Sequence, residues 1–312
     1  MKIVIDNKIP YIKGALEPFA NVVYLPGNKT TPEIVRDADA LITRTRTKCD
    51  RQLLEGSNVK FIATATIGFD HIDTEYCKNA GIEWRNAPGC NAGSVNQYIA
   101  SALLSYSLGK GFDLKDKTIG IVGVGHVGSK VAALCETTGM KVLLNDPPRE
   151  RREGPEKFVP LKTIMEEADI ITFHVPLNRS GRDATWHMIN RNFLMNLKQP
   201  LLINSCRGEV FDSIAVKEAI NKKLIKGLIA DCWENEPEID MDLLKLADYA
   251  TPHIAGYSKD GKANGTKMSI RAVSKFFNLG IDNWEPEGVE LPESTVIEID
   301  GFQKSENSIL AE

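Results

Sequence analysis

A chain of 312 residues with 42% hydrophobic content can fill two ordinary cores, because domains usually hold roughly 100–200 residues. Its net charge of -4 gives no reason to expect nucleic-acid or acidic-membrane binding, which needs a strongly basic face, so a small-molecule partner is expected. No segment approaches the roughly 20 apolar residues that span a bilayer, and Cys49, Cys77, Cys90, Cys135, Cys206 and Cys232 are scattered without the paired spacing of a disulfide frame or zinc site, which fits a reducing cytoplasm.

The chain enters a strand-like run at residues 2–6, without the charged region and long apolar stretch of a signal peptide. Residues 21–24, 40–43 and 61–65 read as further strands, with polar or helical stretches between them. Such alternation predicts parallel strands joined by helical crossovers. Behind the third strand, Arg44-Thr45-Arg46-Thr47-Lys48 alternates cations with hydroxyls in a way that suits a phosphate dianion, although a basic loop is as often merely solvated. From 94 to about 109 the positions Val95, Tyr98, Ile99, Ala102, Leu103 and Tyr106 keep helical spacing and predict one long helix crossing between domains.

A second alternating set follows at 118–122, 141–144, 170–173, 201–204, 227–230 and 248–250, in short apolar runs that suit strands buried on both faces. Gly123-Val124-Gly125-His126-Val127-Gly128 lies between the first of these and a helical run at 129–138. In that setting the first glycine permits a tight turn, the second lets the backbone approach a pyrophosphate, and the third allows close helix–strand packing. The helix N-terminus then favours the anion. Asp146 ends the next strand at the offset where a carboxylate accepts hydrogen bonds from an adenosine ribose. It would repel a 2′-phosphate, so NAD is expected over NADP, against which Arg149, Arg151 and Arg152 stand nearby. The plainer reading is an ordinary tight turn with a capping aspartate.

Arg207 follows a strand end and precedes Gly208, which puts it at the carboxyl edge of the sheet, where doubly wound folds bind ligands. A guanidinium there can hold a carboxylate through two parallel hydrogen bonds, or it can serve a surface ion pair. His253 follows Thr251-Pro252 just past another strand, and imidazole titrates in the range useful for taking a hydroxyl proton as hydride departs. Glu236 can hold the other ring nitrogen and raise the histidine's pKa, with Glu234 as a competitor for that task. His71 and His187 read as surface or helix residues, and His126 matters more for its backbone N–H than for its ring. After His253, residues 262–278 regain helical periodicity and are expected to rejoin the first domain.

Together these motifs resemble the D-isomer-specific 2-hydroxyacid dehydrogenases over nearly the whole chain, and residues 65–73 look like that family's substrate loop. Residues 88–92, 145–149 and above all 251–263 look like the branch acting on 4-phospho-D-erythronate. The resemblance implies NAD-dependent oxidation of that acid to 2-oxo-3-hydroxy-4-phosphobutanoate, a step in pyridoxal 5′-phosphate (vitamin B6) synthesis. It implies that Arg207 anchors the substrate carboxylate, that Glu236 orients His253, and that His253 is the acid–base residue. It also puts Thr45, Thr66 and Tyr257 at the substrate, where the alternating run by itself already suggests Arg44 and Arg46, and His126, Val127, Asp146, Val175, Cys206, Asp231 and Gly256 around NAD.

The expected architecture is α/β. Residues 94–255 would form a Rossmann-type doubly wound parallel-sheet domain, and 1–93 with 256–290 a discontinuous, flavodoxin-like substrate domain. Residues 291–312 would form a tail, the start of a truncated C-terminal dimerisation domain in a homodimer. Competing readings are another family member, such as a phosphoglycerate or a glyoxylate/hydroxypyruvate reductase, and a non-catalytic NAD sensor that retains the trio. A formate dehydrogenase fits less well, because formate has no hydroxyl proton for His253 to take.

Overall fold

Strands β3 (Ala40–Thr43), β4 (Phe61–Thr64), β8 (Ile170–Phe173), β9 (Leu201–Asn204) and β10 (Gly227–Ala230) are buried at every position. That is the burial of parallel strands covered on both faces. These strands belong to a computed structural model that describes residues 1–290; the tail expected at 291–312 lies outside the described residues. The described chain divides into two units, Met1–Asn91 with the stretch from Tyr257 onward, and Ala92–Gly256.

In the first unit, β1 (Lys2–Asp6), β2 (Asn21–Leu25), β3, β4 and β5 (Glu83–Arg85) form a parallel sheet ordered β2-β1-β3-β4-β5. This is the flavodoxin-like strand order. The sequence pattern missed β5 because its Glu83 and Arg85 are exposed and Trp84 only half-buried, so no apolar run marks it. The helix Lys259–Phe277 packs Ile270 and Val273 against Ile3, Ile5, Ile42 and Phe61. Its Gly265 allows that approach, since a Cβ there would stand 2.5 Å from the Ala65 carbonyl oxygen.

In the second unit, β6 (Thr118–Val122), β7 (Lys141–Asn145), β8, β9, β10 and β11 (Tyr249–Ala250) form a parallel sheet ordered β11-β10-β9-β8-β6-β7. Winding reverses at β6, so the carboxyl ends of β6 and β8 make the crevice where such sheets bind ligands. The long helix, Ala92–Lys110, lies wholly in this unit. It buries Val95, Ile99, Ala102, Leu103 and Tyr106 against Ile119, Ile121 and Ile203, with Tyr98 partly buried. The expected fold class, two doubly wound parallel α/β sheets, is the one that forms.

Candidate functional site

The three glycines behind β6 differ in what surrounds them. Gly123 has φ +89, and a Cβ there would stand 2.6 Å from the His174 carbonyl oxygen and 2.8 Å from Val175 Cγ1. Only glycine serves that turn, and Val175 closes over it. Gly128 lies so close to the turn that a Cβ would come within 2.0 Å of the Gly123 carbonyl oxygen. Gly125, by contrast, has nothing within 4 Å of that position, so its face is open. The helix here is His126–Thr137 rather than 129–138, because it starts within the loop with Gly125 as N-cap. The N–H groups of that first turn, from His126 and Val127 on, are the donors a pyrophosphate needs.

Asp146 serves the same loop from β7. Its Oδ2 accepts from the Val124 N–H at 2.9 Å, and its Oδ1 from the Arg149 N–H at 2.9 Å, capping the helix Pro147–Glu153. The three arginines beside it each pair with a carboxylate: Arg149 with Glu153 at 2.6 Å, Arg151 with Asp183 at 2.5 Å and Arg152 with Glu153 at 2.6 Å. On the other side of the crevice Cys206 accompanies Val175, whose backbone reaches the thiol, and its Sγ donates to Asn204 Oδ1 at 3.2 Å.

His253 Nδ1 and Glu236 Oε2 stand 2.8 Å apart. The hydrogen bond to Glu236 raises the His253 pKa; burial opposes this, the charges of Glu236 and Asp231 add to it, and that of Arg207 works against it. For Glu236, burial works against ionisation, but the bonds from His253 and the Trp233 N–H, with the charges of His253 and Arg207, outweigh it and lower the carboxyl's pKa. The Arg207 charge is thus felt at both members of the pair. Gly208 brings them together: a Cβ there would fall 1.9 Å from the carbonyl carbon of Trp233, so the Arg207 turn can lie on the Trp233–Glu234 backbone only with glycine next. Glu234, the competitor, faces elsewhere, bonding His187 Nε2 at 2.6 Å and the Ser213 N–H at 3.2 Å.

Asp231, 1% exposed at the end of β10, shapes the loop that carries His253. Its Oδ1 accepts from Thr251 Oγ1 at 2.6 Å and the Ile254 N–H at 2.8 Å, its Oδ2 from the Ala255 N–H at 2.9 Å, and its carbonyl from the His253 N–H at 2.8 Å. With Thr251 donating to Asp231, Tyr98 is the donor in its 2.8 Å bond to Thr251 Oγ1. Trp233 adds an indole bond to the Thr251 carbonyl at 2.9 Å. Sequence reasoning gave Tyr98 only a place on the long helix and Thr251 only a place before His253, and it passed over Trp233 and the role of Gly208. The one available signal was Trp233, since a buried indole N–H needs an acceptor. The loop ends at Gly256, half-buried at the edge of this unit.

His71 and His187 are turn residues rather than helical ones, and both are partly buried. Burial takes the His71 pKa down to about 4 and that of His174 to about 3.

In the first unit, Arg44, half-buried, donates to the Lys8 carbonyl at 3.3 Å, while Thr45 and Arg46 are exposed. Thr47 turns inward to the Gly27 carbonyl and Lys48 pairs with Asp50 at 3.0 Å, so the run does not present its five side chains alike. Thr66 Oγ1 donates to the Gly68 carbonyl at 2.8 Å and meets Thr64 Oγ1 at 2.8 Å, at the carboxyl end of β4. Tyr257 is 66% exposed, with Lys262 Nζ 3.3 Å from its ring centroid. The bond and charge of Lys262, with the charge of Arg44, lower the Tyr257 pKa.

Residues 95–255 match the model of the D-isomer specific 2-hydroxyacid dehydrogenase NAD binding domain. The chain is 58% identical over 281 residues to the erythronate-4-phosphate dehydrogenase of Bacteroides thetaiotaomicron, covering 89% of this chain and 81% of that protein. It is 55% identical over 284 residues to the Bacteroides fragilis protein of the same name, covering 90% and 82%. Among solved structures it resembles D-lactate dehydrogenase from Aquifex aeolicus complexed with NAD and lactic acid, with TM-score 0.76, 26% identity, and coverage of 90% of this chain and 97% of that one.

Proposed function

Since the chain belongs to the D-isomer specific 2-hydroxyacid dehydrogenase family, and within it to the erythronate-4-phosphate dehydrogenases, we propose that it oxidises 4-phospho-D-erythronate to 2-oxo-3-hydroxy-4-phosphobutanoate with NAD, in pyridoxal 5′-phosphate biosynthesis. The observation that carries the chemistry is the 2.8 Å His253–Glu236 pair with Arg207 beside it, in the unit that holds the glycine loop.

With Glu236 accepting at Nδ1, the imidazole keeps its hydrogen there and offers Nε2 to the substrate hydroxyl. His253 then takes the hydroxyl proton, and Glu236 stabilises the imidazolium that results. Arg207 holds the substrate carboxylate and polarises the carbonyl as it forms. The open face at Gly125, the N–H groups of the following turn and the Asp146 carboxylate fit a dinucleotide, and the nicotinamide, when bound, supplies the acceptor for hydride. Gly123, Gly125, His126, Val127, Gly128, Asp146, Val175, Cys206, Asp231 and Gly256 are the residues assigned to it. Asp231 acts chiefly by shaping the His253 loop, since its oxygens already accept three bonds. Carboxylate partners on all three neighbouring arginines leave the Asp146 charge to select NAD over NADP.

Arg44, Thr45, Arg46, Thr66 and Tyr257 are assigned to the substrate, with the two arginines taking its phosphate. Cytoplasmic location, consistent with six free thiols, and a homodimer complete the proposal. The test is to incubate the protein with NAD and 4-phospho-D-erythronate, with a 2-oxo acid added as acceptor for tightly held cofactor. NADH-linked turnover is expected, and turnover with other hydroxy acids alone would overturn the substrate assignment.

A further inference from the structure

Cys232 is a buried thiol for which the oxidation of a hydroxy acid has no task. Its Sγ, a carboxylate oxygen of Glu236 and a ring nitrogen of His253 all lie within 4.8 Å of one another. Among the described residues no other trio of histidine, cysteine or acidic side chains comes so close. Cysteine spacing gave no sign of it, because His253 arrives from a separate loop.

Thiolate, imidazole and carboxylate are the donors that hold zinc, with Zn–S about 2.3 Å and Zn–N and Zn–O about 2.0–2.2 Å. Around a tetrahedral ion of that size the donor atoms stand roughly 3.3–3.7 Å from one another. The His253–Glu236 contact, at 2.8 Å, is shorter than this, and no separation in the trio exceeds 4.8 Å. Side-chain shifts of about 1 Å therefore suffice to assemble the set. Charge also balances: a thiolate and a carboxylate neutralise a divalent ion, and the opposite charges of Asp231 and Arg207, both felt at Cys232 and His253, offset one another.

We propose that Cys232, Glu236 and His253 form an inhibitory site for a thiophilic divalent cation of the zinc class. The cation bonds to Cys232 Sγ, displacing the thiol proton to solvent, and to a Glu236 oxygen and His253 Nδ1. The hydrogen that Nδ1 carried moves to Nε2. Nε2 is the nitrogen that has to accept the substrate's hydroxyl proton, so the imidazole ceases to be a base even where the substrate can still bind. The inhibition, though not the cation site, rests on the reading of His253 as that base.

The experiment uses the full chain. Cobalt(II), added in place of zinc, is expected to give the near-ultraviolet thiolate-to-metal band of a cysteine-bound ion, which zinc abolishes by displacement. In parallel, zinc is expected to inhibit hydroxy-acid oxidation and a chelator to restore it. Cys232→Ala should keep its turnover, lose the cobalt band and need at least about tenfold more zinc for the same inhibition. Absence of the band on the native chain overturns the cation site without recourse to any variant. Equal zinc sensitivity in Cys232→Ala overturns the part assigned to the thiol. Because the band needs no turnover, a protein that shows it yet oxidises no hydroxy acid would refute the dehydrogenase reading and leave the cation site standing.

Discussion

Two histidine–glutamate pairs share one short stretch of the second unit, and by distance the less interesting one is tighter: 2.6 Å for His187–Glu234 against 2.8 Å for His253–Glu236. What separates them is the rest of their surroundings. Glu234 spends its other oxygen on the Ser213 N–H, at the start of the helix Ser213–Asn221, and the His187 ring lies flat on Trp186 with centroids 3.9 Å apart. That pair ties a loop to a helix. Glu236 spends its other oxygen on the neighbouring Trp233 N–H, and the His253 side chain remains 44% accessible, within the field of Arg207. A short imidazole–carboxylate contact is therefore no signature of acid–base work by itself. What the proposed mechanism needs, and only His253 has of the two, is an accessible ring with the Arg207 guanidinium beside it.

The sharpest way to break this comparison is to remove each imidazole in turn. His253→Gln is expected to lower the turnover number for oxidation by about 10²–10⁴-fold, the usual worth of a general base, with His187→Gln close to the parent in kinetic assays. Comparable losses in both would end the distinction. Glu236→Gln comes next. In the proposed mechanism oxidation needs the neutral imidazole, so the rate is expected to rise with pH through the His253 pKa, which Glu236 raises. Without the carboxylate that rise should move to lower pH, and the reverse reduction, which needs the imidazolium, should fall away earlier as pH increases. Glu234→Gln should leave both pH profiles in place.

Gly208→Ala probes the support beneath the working pair. The added methyl has no room against Trp233, so a loss of about 1–3 kcal/mol in chemical denaturation is expected, with turnover falling further than stability explains. The smallest effect is expected of His187→Gln in that same denaturation experiment, about 1 kcal/mol for one hydrogen bond. An unchanged midpoint would show that the 2.6 Å contact ties nothing down.

The strands were legible because parallel β-strands covered on both faces are written as unbroken apolar runs, as in Ile170–Phe173 and Leu201–Asn204. Glu83–Arg85 was not, because an edge strand can be polar. Helix starts were misplaced at His126 and Lys259, since they are set by the caps, the backbone at Gly125 and the Ser258 hydroxyl accepting from the Gly261 N–H, rather than by apolar periodicity. The glycine loop carried its own steric logic, so each glycine could be given a task before its neighbours were known. What sequence could not carry was pairing at a distance. Nothing local tells Glu236 from Glu234, or marks Thr251 as the residue that bridges Tyr98 and Asp231.

Asp231 makes the His253 loop an extension of the sheet rather than a flap. The amides of His253, Ile254 and Ala255 all end on that one residue, so none can meet solvent unless the end of β10 opens with it. In deuterium these three should exchange at the slow rate of core strands, although no regular element contains them. A loop tied down in this way before any ligand arrives has little order left to lose on binding.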